Sequence, residues 1–435
     1  MPNFITNFLK QFDGHSQELI SGASVAFVLK IFAAGFAFAL NVVLARLLGA
    51  EGSGVFFLAF TIVLIAAAIG RIGMEDALVR FIASNLVEGL KGKVLGVYKK
   101  ALLYSLFISA ILSILLYNLS PWISINIFTK PELTIPLKNM SLAITPLTIL
   151  TLHAYALQGI KNITASISIL SVFVPFITCL IAIAFVPGFG MDAAIYGYVL
   201  ATLITLVLGR WFWKKSIRGW DTENIHFDTK ELFSSSFPLF IVVMMSIIIN
   251  WSPLLFLGIW ESNENIGIYS AVSRTALLTS FVLVAVNSIA APKFAELYKQ
   301  GDMKSLEKLA HNSARIMMLF ASPILFIFLF TPEWALGIFG KGFMQGGLVL
   351  SILAVGQFVN VATGSVGYLL TMSGNEKLMR NNLIVCALFG VVLSIVLIKS
   401  YGIVGAAIAG SVTLAIQNLI AVFLVWKKLN IFTIV

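Results

Sequence analysis

Three basic side chains, Lys30, Arg71 and Arg274, lie within long apolar stretches of this 435-residue sequence. If these stretches cross a membrane, each cation costs about 3 kcal/mol at the bilayer centre unless it meets water or a counter-charge. Residues at such positions commonly bind a ligand, and the ligand that suits Lys and Arg is an anion such as a phosphate. For Lys30 the alternative is a long side chain that reaches the headgroup region.

Arg71 has acidic neighbours at a spacing that permits an ion pair. Glu75 follows it by one helical turn, and Asp76 comes next in the sequence. Side chains four residues apart share a helix face, so the sequence predicts an Arg71–Glu75 pair. Two interpretations remain open: a structural pair near the membrane edge, or an anion-binding Arg71 whose counter-charges, Glu75 and Asp76, also titrate during ion coupling.

Arg274 has no acidic residue within one turn, so we expect it to face an aqueous cavity or a bound anion. The alternative is a structural bond to backbone carbonyls at a helix break. Further polar residues lie in the apolar stretches. Asn41 shares a helix face with Lys30, and Asn250 and Gln357 lie in the second half of the chain. We predict that these three amides line the same cavity, although hydrogen bonding between helices would also explain them.

The composition requires the elements around these residues to be membrane helices. Hydrophobic residues make up 59% of the chain, charged residues make up 11%, and the mean hydropathy is +0.98. These values exclude a soluble enzyme and a nucleic-acid-binding module. The sequence therefore predicts an all-α polytopic membrane protein with twelve transmembrane helices. They are expected near 21–45, 54–80, 100–119, 136–158, 163–186, 192–213, 234–259, 266–292, 312–331, 346–371, 381–399 and 403–426.

The basic residues outside the spans predict the orientation of the chain. Of the 29 Lys and Arg residues, 21 lie in the N-terminus, the even-numbered connections and the C-terminus, against five in the odd-numbered connections. Because cytoplasmic loops carry the excess of Lys and Arg, both termini are expected in the cytoplasm. The net charge of +10 is thereby explained without nucleic acid. The two cysteines lie in apolar stretches, so we expect no disulfide and no metal site.

Short motifs recur at a nearly constant distance along the chain. The tripeptide GVF at 54–56 recurs as GIY at 267–269, and AAIYG at 193–197 recurs as AAIAG at 406–410. The offset is 213 residues in both cases, which indicates an internal duplication.

The duplication predicts two six-helix lobes, residues 1–213 and 234–435, joined by a cytoplasmic linker at 214–233. An even number of spans in each lobe makes the two repeats parallel, and a site between two such lobes is typical of an alternating-access transporter. The alternative is a duplicated structural bundle that transports nothing.

Four segments together resemble the polysaccharide-transporter, or O-antigen flippase, family of the multidrug/oligosaccharidyl-lipid/polysaccharide exporter superfamily. They are LARLLGAEGSGVF at 44–56, GRIGMEDALVRFIA at 70–83, SVGYLLTMSGNEKLMRNN at 365–382 and YGIVGAAIAG at 401–410. The resemblance implies a flippase without enzymatic activity in the bacterial cytoplasmic membrane.

The resemblance also implies the cargo, an undecaprenyl-pyrophosphate-type lipid-linked oligosaccharide. In related flippases, cationic residues on the first, second and eighth spans line the cavity, and Lys30, Arg71 and Arg274 lie on those spans. No cofactor is expected beyond a coupling ion, H⁺ or Na⁺. Membrane lipids and other polysaccharide-assembly proteins are the implied partners.

Three other functions are compatible with parts of the sequence. An ion-coupled multidrug exporter of the same superfamily would favour acidic groups in its cavity, whereas the deepest charges here are basic. A major-facilitator transporter would carry a strongly basic motif after its second span, where this chain reads EGLKGKVLGVYKK. A membrane-embedded polysaccharide polymerase or ligase would need a large outer loop with catalytic groups.

Overall fold

The computed structural model describes residues 14–220 and 227–433, and within them the side chains other than those of 14–27, 285, 288 and 289. Lys10 of the charge count and residues 221–226 of the predicted linker lie outside the described residues. Every regular element of the described chain is a helix, as the apolar stretches predict. Nine of these helical segments are long and apolar enough to cross a membrane. The protein is therefore a multi-pass membrane protein.

The α-helices are numbered in chain order. They are α1 (Gly14–Arg71), α2 (Met74–Val87), α3 (Lys91–Trp122), α4 (Thr134–Met140), α5 (Ile144–Gly159), α6 (Ile163–Ile167), α7 (Val174–Ser216), α8 (Thr229–Trp260), α9 (Asn263–Gln300), α10 (Met303–Phe330), α11 (Pro332–Gly337), α12 (Gly347–Ala362), α13 (Val366–Met372) and α14 (Glu376–Leu429). Short 3₁₀ or π turns lie at Ile123–Ile127, Pro131–Leu133, Ser141–Ala143, Ser168–Phe173 and Lys341–Gly346.

Three helices bend at a glycine where the sequence predicts a loop between two spans. Gly49 in α1, Gly190 in α7 and Gly402 in α14 have non-helical backbone angles with φ of 70°, 63° and 56°. Glycine adopts positive φ without the steric cost that a Cβ would impose. The connections are therefore tighter than the charge and hydropathy pattern suggests, because one glycine replaces a loop.

The predicted second span is interrupted near its end. Ile72 and Gly73 separate α1 from α2 with φ of 50° and 68°. Positive φ at a β-branched residue is strained, so surrounding contacts must hold Ile72 in place. A similar break at Gly364 separates α12 from α13 within the predicted tenth span. The average hydropathy of each span does not reveal these breaks, although charged residues flank the first one.

The packing brings the two halves of the chain together along a few helices. Helices α1 to α7 mostly contact one another, as do α9 to α14. The contact between α1 and α9 is the most extensive one that joins the halves, and α8 packs on α14 as well as on α1 and α2. Residues carried by α1, α2, α8 and α9 therefore lie where the halves meet.

Candidate functional site

Arg274 contacts the other half of the chain through a side-chain hydrogen bond. Its Nη1 atom, on α9, donates to the Oδ1 atom of Asn41 on α1 at 2.7 Å. The amide of Asn41 is in turn oriented by its own helix, because its Nδ2 donates to the carbonyl of Ala37 at 2.7 Å. The Asn41 oxygen is thereby turned toward the guanidinium. The helix face on which Lys30 and Asn41 were predicted to lie thus supplies the partner of Arg274.

Two aromatic rings of α1 cover the guanidinium of Arg274. Its Cζ atom lies 3.8 Å from the centroid of the Phe57 ring and 5.7 Å from that of Phe60. A planar guanidinium gains cation–π attraction from such a face, which fixes the plane of the group. Asn41 uses one of the five N–H donors, so an anion can still be bound through the others. This arrangement suits recognition of a phosphate group.

Arg71 forms the ion pair that its spacing predicts. Its Nε atom donates to Oε1 of Glu75 at 3.0 Å. Glu75 is buried, with 4% of its surface exposed, whereas Asp76 is exposed. The second carboxylate oxygen of Glu75, Oε2, is buried without a hydrogen-bond partner in the described chain. The pair lies at the break between α1 and α2.

The structure separates the predicted cations into two groups. Arg71 follows Phe57 by 14 residues of continuous helix, which places it about 21 Å farther along α1 than the Arg274 contact. Lys30 precedes Asn41 by 11 residues, on the other side of the bend at Gly49. It therefore lies about 16 Å from Asn41 toward the end of the bundle where Arg71 lies, and it is exposed. Lys30 and Arg71 therefore lie near one end of the bundle, and Arg274 lies deeper.

Asn250 and Gln357 are not among the described contacts of Arg274. The exposed Asn250 donates through Nδ2 to the carbonyl of Ser246, four residues earlier on α8, at 2.7 Å. Gln357 is half-buried on α12. Of the three predicted amides, only Asn41 contacts a predicted cation in the described chain.

The two halves are closed against each other at one end of the bundle, which we name the glycine end. Gly54 of α1 and Gly267 of α9, the first residues of the repeated tripeptides, pack backbone against backbone. A Cβ on Gly54 would overlap the carbonyl of Asn263, and a Cβ on Gly267 would overlap the carbonyl of Ala50. Only glycine permits this close approach between helices.

Three hydrogen bonds between the halves surround the glycine contact. Arg46 donates to the Ile338 carbonyl at 2.7 Å and Lys130 to the Glu261 carbonyl at 2.6 Å, while the Asn263 amide donates to Glu132 at 2.6 Å. Burial lowers the pKa of the Lys130 ammonium, and the Glu132 and Glu261 carboxylates partly offset this effect. These polar contacts complete the closure of the glycine end.

Contacts between the halves also occur at the opposite end of the bundle, near Arg71. Gly73 lies against the backbone of α8 at Ser236 and Phe240. The ammonium of Lys100 on α3 donates to the hydroxyl of Thr229 at the start of α8 at 2.6 Å. Glu75 thus lies two residues from a contact between the halves.

The residues that sequence reasoning missed are Phe57, Phe60 and the polar contacts of the glycine end. The two phenylalanines are indistinguishable from packing residues in an apolar stretch. The signal that would have found Phe57 is its position three residues after Gly54, whose recurrence at Gly267 marks where α1 and α9 meet.

Comparisons with known proteins identify the family of the chain. A family model described as polysaccharide biosynthesis protein matches residues 19–298. A Haloferax volcanii protein provisionally named a low-salt glycan biosynthesis flippase is 24% identical, covering 93% of this chain and 82% of its own length. A Shigella flexneri protein provisionally named an O-antigen transporter is also 24% identical, covering 89% of this chain and 93% of its own length.

Solved transporter structures share the fold. An inward-facing multidrug-resistance transporter of the MATE family, within the MOP superfamily, superposes with a TM-score of 0.72 at 14% identity, covering 94% of this chain and 98% of that chain. The lipid II flippase MurJ in an inward closed conformation also has a TM-score of 0.72, at 16% identity, covering 92% of this chain and 86% of that chain. The all-helical architecture described above is thus one that transporters use.

Proposed function

We propose that this chain, which belongs to the polysaccharide biosynthesis protein family, is a flippase for an isoprenoid pyrophosphate-linked oligosaccharide. The observation that carries the proposal is the guanidinium of Arg274, which is held deep between the halves by Asn41 and Phe57. In a drug exporter for cationic compounds, a cation at this position would repel the substrate. A pyrophosphate that leaves water needs one.

The proposed topology has twelve spans in two lobes, with both termini in the cytoplasm. The glycine bends support it, because α7 and α14 have 43 and 54 residues and would each be far longer than the roughly 20 residues of one crossing. The contact between Gly54 and Gly267 supports a duplication whose equivalent residues meet at the axis between the lobes. In this orientation the glycine end faces outward and Arg71 lies toward the cytoplasm.

The proposed cycle follows from the order of the cations along the bundle. The pyrophosphate would first meet Lys30 and Arg71 near the cytoplasmic end and then Arg274 deeper inside, while the isoprenoid tail remains in the bilayer. Opening of the glycine end would then break the contacts of Arg46, Lys130 and Asn263 and release the cargo outward. Both steps together form an alternating-access mechanism.

The setting of this activity would be the bacterial cytoplasmic membrane, where other polysaccharide-assembly proteins deliver and consume the cargo. Undecaprenyl-pyrophosphate-type lipids are the carriers we propose. An ion-coupled multidrug exporter of the same superfamily is the competing function, because the MATE fold is shared.

Reconstitution distinguishes the two functions. Proteoliposomes would be prepared with a fluorescent oligosaccharide linked to an isoprenoid pyrophosphate, and its appearance in the opposite leaflet would be followed with a membrane-impermeant quencher. We expect flipping well above the protein-free rate and no movement of a cationic dye. Dye transport without lipid flipping would contradict the proposal and support the exporter.

A further inference from the structure

Cations are scarce in the outer loops of the proposed topology, and a cation that lies there needs a reason of its own. The odd-numbered connections hold only Arg46, Lys130, Lys138, Lys341 and Lys399. Two of these five have a structural contact. Lys130 donates to the carbonyl of Glu261, and the Nζ atom of Lys138 lies 4.6 Å from the centroid of the Tyr117 ring. Of the others, Arg46 and Lys341 differ from Lys399 because they lie beside the same turn.

That turn is the glycine-rich segment GIFGKG at 337–342, which follows α11 at the glycine end. The Nε atom of Arg46, on α1, donates to the carbonyl of Ile338 at 2.7 Å. Lys341 follows Ile338 by three residues, which span at most about 10 Å of chain. Both cations are exposed. Each half of the chain therefore contributes one exposed cation to the same place.

The two cations keep most of their hydrogen-bond donors unused. In the described part of the chain, no carboxylate forms an ion pair with Arg46 or Lys341. Arg46 uses one of its five N–H donors on the Ile338 carbonyl, and its two terminal nitrogens remain for an anion. The ammonium of Lys341 adds three donors.

The turn between these cations is bare and fixed in shape. Gly340 has a φ of 126°, a conformation that side chains with a Cβ rarely adopt. A Cβ on Gly337 or on Gly342 would meet no atom within 4 Å. The surface around the turn therefore has room for a ligand beside the two cations.

We propose that Arg46 and Lys341 form an exit site, which binds the diphosphate group of the cargo after it leaves Arg274. Arg46 follows Asn41 by five residues of α1, so it lies about 8 Å farther toward the glycine end than the Arg274 contact. Diphosphate oxygens accept hydrogen bonds from a guanidinium fork and from an ammonium. This inference rests on the proposed function, in which a diphosphate moves outward past Arg274.

The exit site also suits the step at which the two halves separate. Arg46 and Ile338 belong to different halves, so opening of the glycine end breaks their hydrogen bond and removes the acceptor of Nε. A diphosphate oxygen would replace the carbonyl as that acceptor. The cargo thereby satisfies the group that its own release exposes.

Protection of a neighbouring cysteine tests the exit site in the purified full-length protein. The probe is Gly342→Cys, made in a protein whose own cysteines, Cys179 and Cys386, have been replaced. Its rate of labelling by an impermeant maleimide is measured against farnesyl pyrophosphate, a soluble isoprenyl pyrophosphate, at constant ionic strength. We expect several-fold slower labelling at saturation. In Lys341→Gln and in Arg46→Gln, half-maximal protection should need about fivefold more ligand, as for the loss of an exposed ion pair.

Three controls define the site. Lys399→Gln removes the same charge from another outer connection and should keep full protection. Arg274→Ala should also keep it, because the deep cation is not part of the exit site. Phosphatidylglycerol offers the oxygens of a lipid headgroup phosphate and should protect less than farnesyl pyrophosphate. If Arg46→Gln does not fold, Lys341→Gln decides alone, since its side chain makes no hydrogen bond in the described chain.

Four outcomes would overturn the inference: no protection at constant ionic strength, protection unchanged in Lys341→Gln, an equal loss in Lys399→Gln, or stronger protection by phosphatidylglycerol. Loss of protection in Arg274→Ala would likewise assign the effect to the deep site. Each result would leave the proposed function intact if the reconstituted protein still flips the lipid-linked oligosaccharide. Absence of flipping would instead contradict the proposed function, whatever the labelling shows.

Discussion

The guanidinium of Arg274 and the amide oxygen of Asn41, 233 residues apart in the sequence, are joined by a hydrogen bond of 2.7 Å. The bond connects α9 to α1 at the place where the two halves of the chain have their most extensive contact. We therefore expect an anion that binds Arg274 to act on a link between the halves and so to couple binding to their relative movement.

Replacement of Asn41 should weaken anion binding by an amount that depends on charge. Asn41→Asp places a carboxylate against the guanidinium, and the resulting ion pair should weaken farnesyl pyrophosphate binding at least about tenfold, or 1.4 kcal/mol. Asn41→Ala removes the bond that holds the guanidinium but adds no competing charge, so its loss of affinity should be smaller than that of Asn41→Asp. Isothermal titration of the purified variants measures both effects.

Asn118→Asp is the matched control for the added charge, because the exposed Asn118 on α3 bonds only within its own helix among the described contacts. Its affinity should stay within about twofold of the wild type. Equal losses in Asn41→Asp and Asn118→Asp would show that the added charge acts non-specifically.

Loss of the ring under Arg274 should weaken anion binding without loss of the fold. Phe57→Leu removes a cation–π contact of about 1–2 kcal/mol, so we expect roughly five- to thirtyfold weaker binding of the pyrophosphate. Phe56→Leu removes the same volume from a neighbouring buried ring that is not among the Arg274 contacts. If both variants lost affinity equally, the effect of Phe57 would be one of packing.

A methyl group at the glycine contact should open the glycine end. In Gly267→Ala the Cβ would overlap the carbonyl of Ala50, so the halves must separate there. Ser53, which is fully buried beside Gly267, provides the probe as Ser53→Cys. The labelling variants are made in a protein whose own cysteines, Cys179 and Cys386, have been replaced. We expect an impermeant maleimide to label Ser53→Cys several times faster in the presence of Gly267→Ala.

Gly188→Ala is the control for this labelling experiment, since a Cβ on Gly188 meets no atom within 4 Å. Ser53→Cys should be labelled at the same rate with Gly188→Ala as without any glycine substitution. Unchanged labelling in Gly267→Ala would contradict a closed contact at this end.

Local spacing in the sequence was enough to predict part of the site. The Arg71–Glu75 pair follows from i, i+4 geometry, which one helix determines by itself, and the structure confirms it. Membership of the transporter family followed from four short motifs, and the family match confirms it. Hydropathy likewise predicted helices throughout the described chain.

Contacts between distant segments could not be predicted in this way. The partners of Arg274 come from α1, and their choice depends on how α1 and α9 are rotated against each other, which hydropathy leaves open. Phe57 has the composition of a packing residue until that rotation is known. The strained turn at Ile72 and Gly73 is equally hidden, since contacts with α8 hold it in place.

The central claim is that Arg274 binds the pyrophosphate during flipping, and one comparison tests it most directly. Wild type and Arg274→Ala, reconstituted at equal density, are assayed for transfer of the fluorescent isoprenoid pyrophosphate-linked oligosaccharide between leaflets. We predict that Arg274→Ala falls to the protein-free rate, and that Arg274→Lys recovers little because an ammonium lacks the planar fork that stacks on Phe57. Flipping by correctly inserted Arg274→Ala at the wild-type rate would contradict the claim.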